Sequence, residues 1–144
     1  MTRYVLDTNL FVDAIRSESA AGELERFYQV FLPFTWLSAV VVQELLAGTR
    51  RGAEDDLERD LVEPFEKRGR VLVPSFAAHK RAGRALAALG TDPARGLPND
   101  ALLAASCRET GMALVTRNAR DFSRLRARMP GFTFVPPWPM VDCD

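Results

Sequence analysis

The sequence has few of the residues that build disulfide frameworks, zinc sites or membrane spans. It contains two cysteines, Cys107 and Cys143, and one histidine, His79. Cys107 falls in an apolar helical pattern and Cys143 near the end of the chain, so a disulfide framework is not predicted. With no Cys/His cluster, zinc is disfavoured. No apolar run approaches the roughly 20 residues that a membrane-spanning helix needs.

The chain also lacks net charge, with 19 basic and 19 acidic residues. This balance argues against a protein that holds nucleic acid by bulk charge, although it leaves room for a local basic patch. Only Lys67 and Lys80 are lysines. Arginine suits bidentate phosphate contacts, but genome base composition explains the bias equally well. A predicted strand begins at Arg3, so we expect no cleaved leader and a cytoplasmic protein.

Strand-like and helix-like stretches alternate along the 144 residues, which we expect to form a single domain, 1–144. Strands are predicted at 3–7, 34–37, 71–73, 113–116 and 132–135. Helices are predicted at 10–15, 20–31, 39–47, 54–68, 75–89 and 98–110, with a loop at 90–97. Ser38 and Ser75 are the predicted N-caps of two of these helices, and Pro64 is expected to bend or break the helix over 54–68. Alternation of this kind predicts a three-layer α/β domain with a central, mainly parallel sheet of four to five strands.

Four acidic residues occupy comparable places in this pattern. Asp7 ends the first strand, and ligands bind beyond the carboxyl ends of strands in open α/β sheets. Glu44 lies inside an apolar helix, Asp100 opens another helix, and Asp121 follows the fourth strand. Four carboxylates in one pocket would repel one another unless a divalent cation lay between them. The pattern therefore predicts a metal-dependent enzyme.

Each acid also has an ordinary structural explanation. Asp7 is a suitable helix cap, and Glu44 could reach solvent at a helix edge. Asp100 in a first turn is favoured by the helix dipole. Asn118 and Asp121, three residues apart, resemble a capping box. Only the set of four favours catalysis.

The order and spacing of four motifs resemble the PIN-domain ribonucleases, most closely the VapC toxins of type II toxin–antitoxin systems. The motifs are Asp7-Thr8-Asn9, Val42-Gln43-Glu44-Leu45, residues 99–105 (NDALLAA) and residues 116–122 (TRNARDF). Two positions depart from the family pattern. Many relatives have an acid where this chain has Asn118, and Pro136-Pro137-Trp138 stands where relatives often have Asn-Pro-Trp.

The resemblance implies a PIN-like fold and metal-dependent endoribonuclease cleavage of single-stranded RNA. Hard oxygen ligands favour Mg²⁺ or Mn²⁺ as the cofactor. Asp7 and Asp100 are the leading candidate ligands, and Glu44 and Asp121 complete the metal sphere or orient water. Groups that would fix these carboxylates are Thr8, Thr116 and Asn118, and the candidates for binding RNA phosphates are Arg117, Arg120 and Arg124.

The resemblance also implies partners. VapC-like relatives are silenced by an antitoxin that covers the active-site groove, often with a basic side chain near the acids, and they commonly form homodimers. A helical stripe of Leu24, Phe27, Tyr28 and Phe31 either packs in the core or receives a partner helix.

Two other functions remain open at this stage. Asp7 could be the nucleophile of a phosphatase or phosphotransferase, although haloacid-dehalogenase-like enzymes have a second Asp where this chain has Asn9. A non-catalytic PIN-like interaction domain is the other alternative, which the intact acids disfavour.

Overall fold

The computed structural model of the protein describes residues 1–90 and 97–140. Five strands are present in this part of the chain: β1 (Tyr4–Leu6), β2 (Thr35–Ser38), β3 (Val71–Leu72), β4 (Ala113–Val115) and β5 (Phe134–Val135). The helices are α1 (Thr8–Arg16), α2 (Glu18–Phe31), α3 (Ala39–Gly48), α4 (Glu54–Leu57), α5 (Glu63–Lys67), α6 (Phe76–Leu89), α7 (Leu97–Thr110) and α8 (Ala119–Ala127). A 3₁₀ turn (Leu32–Phe34) precedes β2, and a π-helical turn (Glu58–Val62) joins α4 to α5.

The strands form one sheet in the order β3-β2-β1-β4-β5, and every neighbouring pair is parallel. Val5 and Leu6 point to opposite faces of the sheet, yet they are 0% and 1% exposed. Helices therefore cover both faces, as a parallel sheet requires. The predicted three-layer α/β architecture is confirmed, with five strands and a fully parallel sheet.

Serine side chains cap two of the helices at the predicted positions. Ser38 accepts a hydrogen bond from the Val40 backbone N–H at 3.1 Å, and Ser75 accepts one from Ala78 at 3.0 Å. Each bond satisfies a backbone donor that the first helical turn cannot pair by itself. Gly111 follows α7 with φ +71°, a left-handed conformation that glycine adopts without steric cost.

The helix predicted over 54–68, with a bend or break at Pro64, consists of three short pieces, and the irregular turn lies just before Pro64. The Glu63 N–H donates to the Glu58 carbonyl, five residues back, which widens the helix into the π-helical turn. This wide turn directly precedes Pro64, whose ring would clash with the Asp60 carbonyl in a regular α-helix. Pro64 itself sits in the first turn of α5, where its missing N–H does no harm.

The other differences concern element ends. Strand β3 stops before Val73, which is 67% exposed, and β5 begins two residues later than predicted. Helix α1 begins at Thr8 and α7 at Leu97, each slightly earlier than predicted. Most of the loop predicted at 90–97 lies outside the described residues, and so does Cys143. Among described helices, none is long and apolar enough to cross a membrane.

The apolar stripe of α2 packs into the core rather than forming a free surface. Phe27 is 4% exposed, and its ring lies 5.8 Å from Tyr4, 5.0 Å from Phe31 and 5.2 Å from Trp138. Leu24 and Tyr28 are partly buried against the same core. Of the two interpretations offered by the sequence, core packing is the one that the structure supports.

We expect Phe27→Ala to lower the free energy of unfolding by about 3–5 kcal/mol, because it removes a buried ring and leaves a cavity. Urea unfolding followed by circular dichroism measures this loss. Phe76→Ala on α6 is the matched control, since Phe76 is 78% exposed. Similar losses from the two substitutions would contradict the core assignment of α2.

Candidate active site

The strand order places the ends of β1 and β4 side by side at the centre of the sheet. From β1 the chain builds outward through β2 to β3, then returns to lay β4 on the other side of β1. A reversal of this kind opens a crevice at the carboxyl ends of the two strands. Asp7 follows β1 and Thr116 follows β4, so both side chains lie at that crevice.

Asp7 is the most firmly held acid of the site. The Thr116 hydroxyl donates to Asp7 Oδ2 at 2.7 Å, the Thr8 backbone N–H donates to Oδ1 at 2.8 Å, and Asn9 Nδ2 lies 3.3 Å from Oδ2. Asp7 is only 5% exposed. It is also the N-cap residue of α1, so Asp7 caps a helix and lines the cleft at the same time.

Glu44 reaches the same place from the apolar helix α3. Its Oε1 accepts a hydrogen bond of 2.8 Å from the Thr8 hydroxyl, 36 residues earlier in the chain. Glu44 is half-buried, so a helix edge directed only at solvent does not describe it. Thr8 thus connects the two acids, through its N–H to Asp7 and through its hydroxyl to Glu44.

A cleft of about 430 Å³ opens at this point. Three of the four predicted acids reach it, together with neighbours from α1 and from the segment after β4. Its lining residues are Asp7, Thr8, Asn9, Val12, Asp13, Arg16, Glu44, Asp100, Arg117 and Asn118. The structure therefore gathers side chains from four separate segments around one opening.

The electrostatics of the cleft are those of crowded carboxylates. Burial, followed by the negative charges of Asp7, Glu44 and Asp121, raises the pKa of Asp100 to about 7. Burial also raises the pKa of Asp7, assisted by Glu44 and opposed by its hydrogen bonds from Thr116 and Thr8. Without a cation, Asp100 is therefore only partly ionised at neutral pH.

Asp121 stands apart from the other three acids. It does not line the cleft, and its side chain is 34% exposed, with Oδ1 4.0 Å from Arg124. The structure does not support the capping-box explanation of Asp121, because Asn118 makes no side-chain cap and instead donates from Nδ2 to Asp121 Oδ2 at 3.0 Å. Asn118 lines the cleft and lies between it and Asp121. Asp121 contributes to the field at Asp100 rather than to the walls of the cleft.

The three predicted RNA-binding arginines have different environments. Arg117 lines the cleft and forms an ion pair with Asp13, whereas Arg120 and Arg124 do not line it. Sequence reasoning missed Asp13 and Arg16, which both line the cleft. Their signal was the spacing Asn9, Asp13, Arg16, which places all three on one face of a helix capped by Asp7.

The donor set suits a hard divalent cation. Across residues 1–90 and 97–140, no three His, Cys, Asp or Glu side chains are already grouped to hold a metal ion. Mg²⁺ needs no such cage, since it keeps several waters and binds through one or two carboxylates. Asn9 Oδ1 is buried without a hydrogen-bond partner, which adds an unused oxygen beside the carboxylates. Asp7, Asp100 and Glu44 thus offer the right chemistry for Mg²⁺ or Mn²⁺.

Comparison with known proteins connects this site to a family. The chain matches the PIN domain family over residues 4–128. It is 31% identical over 129 residues to ribonuclease VapC2 of Haemophilus influenzae, covering 88% of this chain and 95% of that protein. It is 29% identical over 125 residues to the tRNA(fMet)-specific endonuclease VapC of Shigella flexneri, covering 87% and 93%.

Solved structures share the fold over nearly the whole chain. A DNA-bound VapBC complex from Salmonella typhimurium contains a chain that matches with a TM-score of 0.69 and 23% identity, covering 94% of this chain and 98% of that one. A toxin–antitoxin complex from Klebsiella pneumoniae contains another, with a TM-score of 0.66 and 21% identity, covering 95% and 99%. At these identities the likeness establishes the fold.

The raised pKa of Asp100 predicts a pH-dependent stability defect in metal-free protein. Between its unfolded value of 3.8 and its folded value of about 7, the folded state binds more protons, so this group's contribution to stability falls as pH rises. In EDTA, Asp100→Asn should therefore melt at a higher temperature than wild type near pH 8. That gap should shrink toward about pH 5, where Asp100 is protonated.

Differential scanning fluorimetry at a series of pH values measures this gap. The matched control is Asp55→Asn, an exposed residue of α4 outside the cleft, which should show no gap that widens with pH. A constant difference between Asp100→Asn and wild type across the range would contradict the shared acidic cleft.

Proposed function

This chain belongs to the PIN-domain family, and we propose that it is the endoribonuclease toxin of a toxin–antitoxin pair, cleaving single-stranded RNA with bound Mg²⁺ or Mn²⁺. The observation that carries the proposal is the convergence of Asp7, Glu44 and Asp100 on one cleft. The VapC ribonucleases similar to it over 87–88% of its length support the same activity. The proposal does not extend to a particular RNA, since specificity for tRNA(fMet) is a property of the Shigella flexneri relative.

The acids would bind the cation, and their hydrogen-bond partners would keep the acids in position. Asp7 and Asp100 are the leading ligands, and Glu44 completes the sphere or orients water. Thr116 and Thr8 keep Asp7 in one orientation by donating to both of its oxygens. Fixing the ligands in advance in this way typically strengthens metal binding and activity.

A divalent cation in this cleft supplies charge for the phosphate oxygens and lowers the pKa of water toward neutrality. The chain itself contributes the orientation of the ligands. Asp7 cannot rotate without breaking its bonds to Thr116 and Thr8, so its free lone pairs keep one direction. Asn118 and Asp121, hydrogen-bonded to each other, form the outer part of the site, where relatives often carry an acid.

Several neighbours in the fold comparison come from complexes named VapBC or toxin–antitoxin, which supports an antitoxin as the partner of this chain. We propose that the antitoxin covers the acidic cleft and that the chain forms a homodimer, as VapC-like proteins commonly do. We place its action in the cytoplasm, where its RNA substrate would be found, and treat residues 1–144 as one domain.

The phosphotransferase alternative gains no support from the geometry. Asn9 donates toward Asp7 instead of supplying a second carboxylate. Both Asp7 oxygens already accept hydrogen bonds, and α1 begins against one of them, which leaves little room for a covalent phosphoryl intermediate.

We expect the purified protein to cleave single-stranded RNA with Mg²⁺ or Mn²⁺ and to stop in EDTA. Asp7→Asn and Asp100→Asn should each reduce kcat by at least about 100-fold, because a charged metal ligand is lost. Gel-resolved cleavage of a labelled RNA measures the rate. Asp55→Asn should cleave at the wild-type rate.

The same variants separate metal binding from catalysis. Mn²⁺ should raise the melting temperature of wild type and of Asp55→Asn by mass action, and Asp7→Asn should lose that response. Full cleavage by Asp7→Asn, or an unchanged Mn²⁺ shift in that variant, would remove Asp7 from the metal site.

The toxin assignment predicts a growth effect. Expression of the wild-type chain alone should slow growth, and co-expression with the small protein encoded beside it should restore growth and yield a complex that co-purifies. Asp100→Asn should be harmless without the partner, because RNA cleavage is what makes the chain toxic. Free expression with no growth effect and no co-purifying neighbour would refute the toxin assignment and leave the nuclease assignment standing.

A further inference from the structure

One face of α1 forms part of the lining of the cleft. Asn9, Asp13 and Arg16 recur at intervals of four and three residues, so they lie along the same helical face. Asp13, Arg16 and Arg117, from the segment after β4, all line the cleft. The opening therefore has an acidic side and an edge that carries two guanidinium groups.

Arg117 is held by a bidentate ion pair. Its Nε lies 2.8 Å from Asp13 Oδ2, and its Nη2 donates to Asp13 Oδ1 at 2.9 Å. A guanidinium has five N–H donors, and this pairing occupies two of them. The remaining three lie on the edges turned away from Asp13. Because Arg117 stays 54% exposed, those donors can reach a ligand in the cleft.

Arg16 differs from Arg117 in its contacts and in its charge balance. It is exposed, lines the same cleft, and has no ion pair or hydrogen bond within residues 1–90 and 97–140. The Asp13–Arg117 pair has no net charge, so Arg16 is the residue of this edge that carries an uncompensated positive charge. Arg16 therefore offers positive charge, and Arg117 offers oriented hydrogen-bond donors.

We propose that Arg16 and Arg117 form a phosphate-binding edge for the RNA strand, and that Asp13 is a positioning residue that orients Arg117 toward it. The proposal rests on the nuclease function proposed above. An RNA strand that enters an acidic cleft needs cations for the phosphates that flank the one being cleaved. Planar guanidinium groups hold a phosphate by two parallel hydrogen bonds, which fixes the strand in one register.

Asp13 itself is negative and would, by charge alone, repel RNA. Removing it should therefore strengthen binding if charge were its main effect. If it orients Arg117, removing it should instead slow the chemical step while binding is kept, since a small misplacement of the substrate costs rate. Because the two roles predict opposite results, Asp13 is a more informative residue to substitute than Arg16 or Arg117.

For Arg16 the test is Arg16→Gln, assayed for kcat and KM on a single-stranded RNA of mixed sequence over a series of KCl concentrations. We expect KM to rise about three- to tenfold and the salt slope of log kcat/KM to fall by about 0.7, which is one phosphate contact on a single strand. Arg84→Gln, at an exposed position on α6 outside the cleft, is the matched control and should change neither value. An unchanged KM and slope in Arg16→Gln would remove Arg16 from the RNA-binding edge.

For Asp13 the test is a double-mutant cycle with Arg117. Asp13→Asn and Arg117→Lys should each lower kcat about tenfold, and the double variant should lose no more than either alone, because both break the same bidentate pair. KM in Asp13→Asn should stay the same or fall. Additive losses of kcat, or a higher KM in Asp13→Asn, would overturn the positioning role.

A purely structural role for the pair has its own signature. If the pair only ties α1 to the segment after β4, Asp13→Asn should lower the melting temperature while kcat per active molecule stays at the wild-type value. That result would overturn the proposal even though wild-type protein cleaves RNA. Absence of metal-dependent cleavage by wild type would instead refute the proposed function itself, so the two failures are distinguishable.

Discussion

The buried contact between Asp7 and Thr116 is the constraint on which the site depends. Burying a carboxylate is unfavourable unless hydrogen bonds or a counter-charge compensate it. Asp7 lies at the end of the central strand, 5% exposed, and the Thr116 hydroxyl reaches it because β4 pairs with β1. Thr116 also accepts from the Asn118 N–H at 3.0 Å, so its hydroxyl hydrogen is directed at Asp7. The position of the acid and the order of the sheet are thus linked.

When no cation is bound, the crowded carboxylates of the cleft lower the stability of the folded chain. The hydrogen bonds to Asp7 favour its charged form, while the charges of Glu44 and Asp7 oppose ionisation of Asp100. A protein that concentrates like charges in this way retains them for a reason other than stability. A divalent cation relieves the repulsion, so metal affinity and metal-free instability share one cause. The same field would attract a basic side chain of an inhibitor.

Much of the architecture was predictable because it depends on local patterns. Short apolar runs ending at Asp7 and Thr116 and serine caps at Ser38 and Ser75 identified the strands and helix starts, and alternation identified the parallel sheet. The π-helical turn at Glu58–Val62 was not predictable, since it depends on how the chain fits Pro64 into a helix. Strand ends also depend on partners: Val73 has the composition of a strand residue but lies beyond the pairing of β2 with β3.

The acids at the site could be found from sequence because each follows a strand or begins a helix. Their partners were harder to find. Thr8 was assigned to fix a carboxylate, yet that its hydroxyl donates to Glu44 depends on how α1 and α3 meet. Asp13 has no distinctive neighbour in sequence, and its bond to Arg117 spans 104 residues. Two residues so far apart in sequence meet only because β4 pairs with β1, and no local sequence pattern encodes that pairing.

The acids and the Asp13–Arg117 pair also differ in what a substitution would change. The charge of Glu44 raises the pKa values of both Asp7 and Asp100, so a change at Glu44 alters the protonation of these two acids. The Asp13–Arg117 pair is more exposed, where an ion pair contributes little to stability. Although the bidentate pair contributes little to the free energy of unfolding, it still fixes the direction of the Arg117 guanidinium. A site that must place a phosphate against the acids depends on that direction more than on the strength of the pair.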